Sequence, residues 1–407
     1  MTLKPLLIMI VILAVFPLLA GYIVLLERKV LADMQVRLGP MRVGPHGLLQ
    51  PIADALKLLL KEDITPASAD KSIFWLAPVV SFFTAITAFA VLPFSQTILI
   101  TDVNVGLLVV SATGAVGILG IILGGWSSNS HYPLLGALRS SAQLVSYEVA
   151  LSLALISGVM VAGSLSLVSI VKAQQDRHIW FVFENYGLMI VPFMVYFISA
   201  VAETNRSPFD LPEAESELVA GFHTEYSGFR WGIYMLAEYA KIFVVAGVAV
   251  TLFWGGWLRP FPNVAWLEVP MNFGLPFVMI AGTGAGCFWL IRPLRDPSHR
   301  FLLAGAGVLL CAAGGAFLVP TVNATVIGLF WFLLKIFLVI YVLIWFRGTF
   351  PRFRYDQLMN IGWKYMIPIA IGSIFVNAAI GLLRETPSCQ KRKSFLEQDA
   401  EGIRSSV

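Results

Sequence analysis

The sequence predicts an all-α, polytopic transmembrane helical bundle, and three observations lead to that prediction. The chain has 407 residues, of which 58% are hydrophobic and only 13% are charged, whereas soluble domains have about 25% charged residues. Apolar stretches recur that reach the roughly 20 residues a helix needs to cross a bilayer. Because a helix satisfies its own backbone hydrogen bonds in lipid, these stretches are expected to be helices.

Ten apolar stretches are candidate spans. The first is expected to be a retained anchor, because its apolar run exceeds the usual signal-peptide length of about 7–15 residues and basic residues follow it. The fifth is short and ends in Glu203. The candidates cover roughly 5–26, 73–95, 105–125, 140–163, 187–203, 231–257, 275–291, 301–320, 325–346 and 364–383.

The distribution of Lys and Arg predicts the orientation of these spans. The segment 27–72 contains seven basic residues, and cytoplasmic loops are enriched in such residues. Placing it in the cytoplasm puts the amino terminus outside and the segments 204–230 and 347–363 on the cytoplasmic face. Three loops on one face predict a docking surface for soluble partners, with simple connecting loops as the alternative.

The first of these loops contains a predicted amphipathic helix at the membrane surface, because apolar residues recur there at helical spacing. The residues that form this stripe are Leu49, Ile52, Leu56, Leu59 and Leu60.

Ionisable residues inside predicted spans are candidates for a proton path, because charge in hydrocarbon is costly unless it is used. They are Glu148, Glu203, Glu238, Lys241 and Lys335. The alternative is a structural ion pair between helices. It stays open for Glu238 and Lys241, which lie three residues apart and share a helix face.

The segment 202–221 is unusually acidic for this chain. It carries Glu203, Asp210, Glu213, Glu215 and Glu217, and Glu225 and His223 follow closely. A solvated loop face is the plain interpretation. Flanking apolar residues such as Phe209 and Leu218 argue against it, because they favour burial of the segment in protein or membrane. The acidic density therefore predicts a site that manages protons or charge.

Several functional classes are not supported by the sequence. Three Cys occur without a C-x-x-C or Cys/His spacing, so an iron–sulfur, zinc or haem site built by this chain alone is not expected. The net charge of +4 comes without a basic run, so nucleic acid is not an expected partner. No Ser, Cys or His constellation indicates nucleophilic catalysis.

Three long motifs resemble one family. The segments Glu27–Asp63, Ala202–Lys241 and Phe346–Lys364 are similar, in the same order, to three cytoplasmic loops of the quinone-site membrane subunit (the H subunit) of respiratory complex I, NADH:quinone oxidoreductase. The resemblance covers most of 1–258 and 325–384.

The resemblance implies an all-helical protein that joins the hydrophilic arm of the complex to its membrane arm in the bacterial cell inner membrane. Quinone would enter from lipid, and an iron–sulfur cluster in a neighbouring subunit would reduce it. The chain alone would bind no cofactor and have no activity. The implied partners are cluster-bearing and quinone-site hydrophilic subunits, small membrane subunits, quinone and lipid.

The resemblance also assigns expected roles to residues. Quinone binding is implied for Glu27, Arg28, Arg37, Phe209, Asp210, Glu213, Glu215 and Glu217. A proton path is implied for Glu148, Glu203, Glu213, Glu225 and Glu238.

One departure from the family concerns the domain organisation. Residues 259–324 hold two extra candidate spans, inserted before the last two of an eight-span core. Two spans preserve the sidedness of everything that follows them. The expected units are the core 1–258, with loops 27–72 and 204–230, the insertion 259–324, the last core spans 325–384 with loop 347–363, and a polar tail 385–407.

Two alternatives remain at this stage. A related subunit of membrane-bound hydrogenase or formate-linked complexes has similar loops but no quinone. A stand-alone ion or solute transporter would show internal repeats and broken helices, and no convincing repeat is found in the sequence.

Overall fold

A computed structural model describes residues 3–210, 220–261, 264–292 and 296–383. Within these ranges the chain forms helices and turns without a strand, which confirms the all-α prediction. Eight helices of the described chain are long and apolar enough to cross a membrane.

Helices occupy all ten predicted stretches. The first has 32 residues, and the short fifth stretch is a helix of 14 residues. In chain order the helices are α1 (Leu3–Met34), α2 (Gln50–Leu60), α3 (Lys71–Val91), α4 (Gly106–Ser127), α5 (His131–Ala162), α6 (Leu167–Arg177), α7 (Ile190–Glu203), α8 (Gly228–Phe253), α9 (Ala265–Leu290), α10 (Pro297–Ala316), α11 (Pro320–Thr349) and α12 (Tyr355–Leu383).

The structure differs from the apolar pattern at helix ends. Helix α12 begins at Tyr355, well before the apolar stretch, so only 350–354 join it to α11. Helix α6 lies between two predicted spans and was not predicted. Its start has a local signal, because the Ser166 side chain accepts a hydrogen bond from the Ser169 backbone N–H. Such caps stabilise helices that the apolar pattern does not indicate.

Helix α8 is the centre of the bundle. It packs against α1, α3, α7 and α11, and 83% of its most apolar stretch is buried. The corresponding buried fractions for α9 and α10 are only 11% and 17%. Helices α9 and α10, which were predicted to be an insertion, therefore lie outside the packed core, and α8 is the helix from which sites inside the bundle can be built.

An aromatic cluster joins α8 to three neighbouring helices. The ring of Phe89 on α3 lies 5.1 Å from Phe16 on α1 and 5.0 Å from Phe243 on α8. Phe94 packs edge-on against Phe332 of α11 at 5.7 Å. Lipid provides little hydrophobic drive for helix association, so close packing of this kind holds the bundle together.

Lys335 has a structural role at one end of α8. Its Nζ donates hydrogen bonds to the carbonyl oxygens of Trp254 and Leu258, at 2.7 and 2.9 Å, and lies 5.1 Å from the Trp180 ring centre. The last carbonyls of a helix lack partners within the helix. This lysine supplies donors for the carbonyls that end α8 and the turn after it.

We expect Lys335→Met to lower the free energy of unfolding by about 1–3 kcal/mol, because two buried carbonyls lose their donor. The measurement is the thermal midpoint of the detergent-solubilised protein. Lys364→Met, at an exposed position, is the matched control. Equal midpoints for the two variants would contradict the structural role of Lys335.

Candidate functional site

Three segments predicted to share one face meet at one end of the bundle. The first and second loops are joined by Arg230, whose Nε lies 2.7 Å from Asp63 Oδ2. The second and third are joined by Arg352, whose Nη2 lies 3.2 Å from Asp210 Oδ2. The helix ends and loops carrying the three sequence motifs therefore build one continuous surface.

Beneath this surface Glu27, near the end of α1, is the hub of a buried polar network. Its side chain is 5% exposed. Tyr239 Oη donates to Glu27 Oε2 at 2.7 Å, while Arg206 Nη1 lies 3.4 Å from Oε1 and Arg347 pairs with the same oxygen. One carboxylate is thus shared by two guanidinium groups and a phenol, and such charge-assisted bonds are the strong ones.

The network opens into a cavity of about 310 Å³. The Arg206 guanidinium also lies 4.6 Å from the Tyr239 ring centre, so the arginine is held by a charge and by an aromatic face. The wall combines N–H and O–H donors with apolar side chains. The lining residues are Glu27, Arg28, Leu31, Arg206, Ala220, His223, Trp231, Met235, Glu238, Tyr239 and Arg347.

The first-loop residues implied by the resemblance divide into two groups. Glu27 and Arg28 line the cavity, and Arg28 also pairs with Asp54 of α2 at 2.7 Å. Arg37 does not belong to the described lining. It is exposed, and its Nε donates to Gln35 Oε1 at 2.7 Å.

In the second loop, Phe209 and Asp210 hold the backbone in place. Phe209 is buried, with ring centres of Tyr147 and Phe353 at 5.3 and 5.6 Å. Gln143 Nε2 donates to the Phe209 carbonyl at 2.8 Å, and Asp210 pairs with Arg352. These contacts position the loop beside the cavity. Its other implied residues, Glu213, Glu215 and Glu217, lie outside the described residues.

The second group of acids lies in a small cavity of about 40 Å³ between α3, α4, α5, α7 and α8, which Glu148, Glu203 and Lys241 line together. Gly114 of α4 lies beside both acids. A Cβ at that position would lie 3.4 Å from Glu203 Oε1 and 3.6 Å from Glu148 Oε1. The two carboxylates are therefore close neighbours.

Three of the five acids implied in a proton path line two cavities along α8. Glu238 lines the larger cavity with Glu27, whereas Lys241, less than one turn further on, lines the smaller one with Glu148 and Glu203. Glu238 and Lys241 thus contribute to separate sites on one helix. Glu225 is half-buried in the turn before α8.

Sequence reasoning missed three members of the network, Arg206, Tyr239 and Arg347. All three lie inside the motifs Ala202–Lys241 and Phe346–Lys364, but their pairing with Glu27 spans 179 to 320 residues of sequence. Local sequence patterns do not predict contacts between residues so far apart in the chain.

His223 is a further member of the cavity wall, next to the acidic segment. It is 8% exposed, and its Nδ1 has no hydrogen-bond partner within the described chain. Burial lowers the pKa of His223 to about 4, so the ring is neutral near pH 7. In a neutral imidazole one ring nitrogen donates and the other accepts, so a ring nitrogen without a protein partner can form a hydrogen bond with a ligand.

Comparison with known proteins gives a consistent result. A family model described as NADH dehydrogenase matches residues 6–378. The second of the NADH-quinone oxidoreductase H subunits of Solibacter usitatus (strain Ellin6076) is 68% identical over 379 residues, which is 93% of this chain and 96% of that protein. The first NADH-quinone oxidoreductase H subunit of Koribacter versatilis (strain Ellin345) is 51% identical over 374 residues, which is 88% of this chain and 87% of that protein. The corresponding protein of Geobacillus sp. (strain WCH70) is 43% identical over 360 residues, or 88% of each.

We expect His223 to make the protein less stable as the pH falls from about 6.5 towards 4. Its folded-state pKa is about 4 and the unfolded value is about 6.5, so the unfolded state binds the extra proton and unfolding is favoured in that window. His223→Gln should flatten the fall in thermal midpoint between pH 7 and 4.5. His131→Gln, at an exposed position, should leave it unchanged. The same fall in all three proteins would refute this.

Proposed function

The chain belongs to the H-subunit family of NADH-quinone oxidoreductase, and on that premise we propose that it forms part of the quinone-binding site of a proton-translocating complex. It is an integral protein of a bacterial membrane, supported by its apolar helices and by its relatives. We further propose that the amino terminus lies outside and the three loops in the cytoplasm. The relatives are named as quinone oxidoreductase subunits, which favours this function over a role in a hydrogenase or as a transporter.

The observation that carries the proposal is the Glu27 network. A quinone headgroup has two carbonyl oxygens, which accept hydrogen bonds, and a flat apolar ring. The cavity of about 310 Å³ offers guanidinium, phenol and imidazole groups beside Trp231 and Met235. Sites that bind small molecules combine a few placed donors with an apolar wall in this way.

Reduction of a quinone to a quinol needs two electrons and two protons. We propose that these electrons come from an iron–sulfur cluster in a partner subunit. Cluster-bearing and quinone-site hydrophilic subunits would dock on the surface formed by the three loops. The residues of this chain would orient the headgroup, and their proton affinity would change with the charge on it.

We propose that charge on the quinone is transmitted along α8. Glu238 lines the cavity proposed for the headgroup, and Lys241 lines the smaller cavity with Glu148 and Glu203. Electrostatic interactions are weakly screened in such surroundings. A change of charge at the first cavity therefore alters proton affinity at the second, and neighbouring carboxylates titrate as a coupled group. We assign Glu225, and Glu213 of the acidic segment, to the same path.

The first test is affinity purification of the tagged chain from mildly solubilised membranes, followed by assay of the eluate. We expect iron–sulfur subunits and quinone reduction that a quinone-site inhibitor blocks. Partners with hydrogenase activity and no quinone reduction would instead indicate the hydrogenase-type protein. A folded chain that purifies alone would overturn the proposal.

We expect Tyr239→Phe to raise the KM for quinone by about threefold to tenfold, because the Glu27 network loses one hydrogen bond in the cavity. Tyr234→Phe is the matched control. It removes another buried hydroxyl from the same helix, one that donates to the Gly120 carbonyl at 3.1 Å, outside the cavity. Inhibitor-sensitive quinone reduction should change only in Tyr239→Phe, and equal kinetics in the two variants would contradict the cavity assignment.

We expect Glu203→Gln and Glu148→Gln each to lower proton translocation and quinone turnover together, because a permanently neutral amide cannot relay a proton. The readouts are inhibitor-sensitive quinone reduction and acidification of inverted vesicles. Glu62→Gln changes an exposed acid and serves as the control. Full pumping in both intramembrane variants would rule out these acids as part of the path.

A further inference from the structure

The inserted helices α9 and α10 form a hairpin of their own. A Cβ at Gly284 of α9 would lie 2.9 Å from the Gly307 carbonyl oxygen of α10, and one at Gly314 would lie 2.9 Å from Ala281 Cβ. Small residues thus let the two helices approach closely, as they do in membrane helix pairs. Most of the hairpin surface is exposed, so its position depends on a few contacts with the rest of the chain.

One hydrogen-bonded anchor lies at each end of the hairpin. At one end, Asn323 Nδ2 of α11 donates to the carbonyl oxygens of Asn272 and Phe317, at 2.7 and 2.9 Å. At the other end, His46 Nε2 of the first loop lies 3.4 Å from the Leu290 carbonyl oxygen. Helix α10 also packs against the turn that contains His46.

The His46 contact caps α9. A carbonyl oxygen only accepts, so the ring must donate its Nε2–H, and the carbonyls at a helix end lack partners within the helix. The loop presents this ring from a fixed conformation. His46 itself has φ 52°, and the neighbouring Gly44 and Gly47 also have positive φ.

The same residue is tied to the wall of the quinone cavity. Lys29 Nζ of α1 donates to the His46 carbonyl oxygen at 2.6 Å. Lys29 follows Glu27 and Arg28, which line the cavity. Of these three consecutive residues of α1, Glu27 belongs to the buried network, Arg28 pairs with helix α2 and Lys29 bonds to the first loop. A hydrogen-bonded connection runs from the hairpin through His46 and Lys29 to the cavity.

We propose that His46 is a positioning residue through which the inserted hairpin holds the first loop beside the quinone cavity. This inference rests on the proposed quinone function of that cavity. His46 is not among the residues that line it, so its loss should displace the loop and weaken quinone binding while leaving the turnover of bound quinone intact.

Two substitutions in the whole complex separate the hydrogen bond from the backbone conformation. His46→Gln keeps an N–H donor near the position of Nε2 but tolerates positive φ poorly. His46→Asn tolerates positive φ well but is too short to reach Leu290. We expect His46→Gln to keep wild-type kinetics. In His46→Asn we expect the KM for a short-tailed quinone to rise about threefold to tenfold while kcat stays constant.

A structural readout accompanies the kinetics. Tryptic cleavage after Arg300, in the first turn of α10 and exposed, should be faster in the detergent-solubilised His46→Asn complex than in His46→Gln or wild type. If His46→Asn does not assemble, Lys29→Met removes the other bond without touching the His46 ring, and it should raise the same KM.

Several results would overturn the inference. Wild-type KM in both His46→Asn and Lys29→Met would do so, as would a larger defect in His46→Gln than in His46→Asn. Failure of the quinone proposal itself would look different, because Tyr239→Phe would then leave quinone kinetics unchanged whatever the His46 variants do.

Discussion

The structure depends on one buried carboxylate. Glu27 joins α1 to the loop after α7, to α8 and to α11, because Arg206, Tyr239 and Arg347 come from those three elements. Removing one partner of a buried ion pair is costly, since the other charge is left uncompensated. The Glu27 carboxylate joins these elements and also lines the larger cavity. The stability of this region and the quinone binding proposed for it therefore depend on the same side chain.

Helix α8 lines both the cavity proposed to bind quinone and the cavity proposed to transfer protons. Its buried surface allows polar side chains to be held in fixed positions, and Glu238 and Lys241 point into different cavities within one turn. Separate cavities on one rigid helix give a fixed distance between the place where charge would change and the place where protons would move. A mobile loop would not hold that distance.

The sequence was sufficient for those features that depend on composition and local pattern. Apolar length predicted the helices, which the structure confirms. Lys and Arg counts predicted that three segments share a face; the structure shows that they contact one another, and their cytoplasmic side stays a prediction. The role of the acidic segment stays a prediction as well. The helix ends differed, as with Tyr355, because a helix continues beyond the apolar stretch once its residues reach polar surroundings. The partners of Glu27 were out of reach, since Arg347 lies 320 residues away. The small residues Gly284 and Gly314 make room for neighbours that only the folded bundle identifies.

Helix α7 is too short to cross the bilayer. Fourteen residues make a helix about 21 Å long, at about 1.5 Å per residue, against a hydrocarbon thickness of about 30 Å. A helix of this length leaves about 9 Å of the hydrocarbon thickness to the residues on either side of it. Any irregular backbone at membrane depth must be enclosed by protein. Glu203 is the last residue of this short helix, so on the proposed path a proton reaching it from the loop side would cross less hydrocarbon than a full bilayer presents.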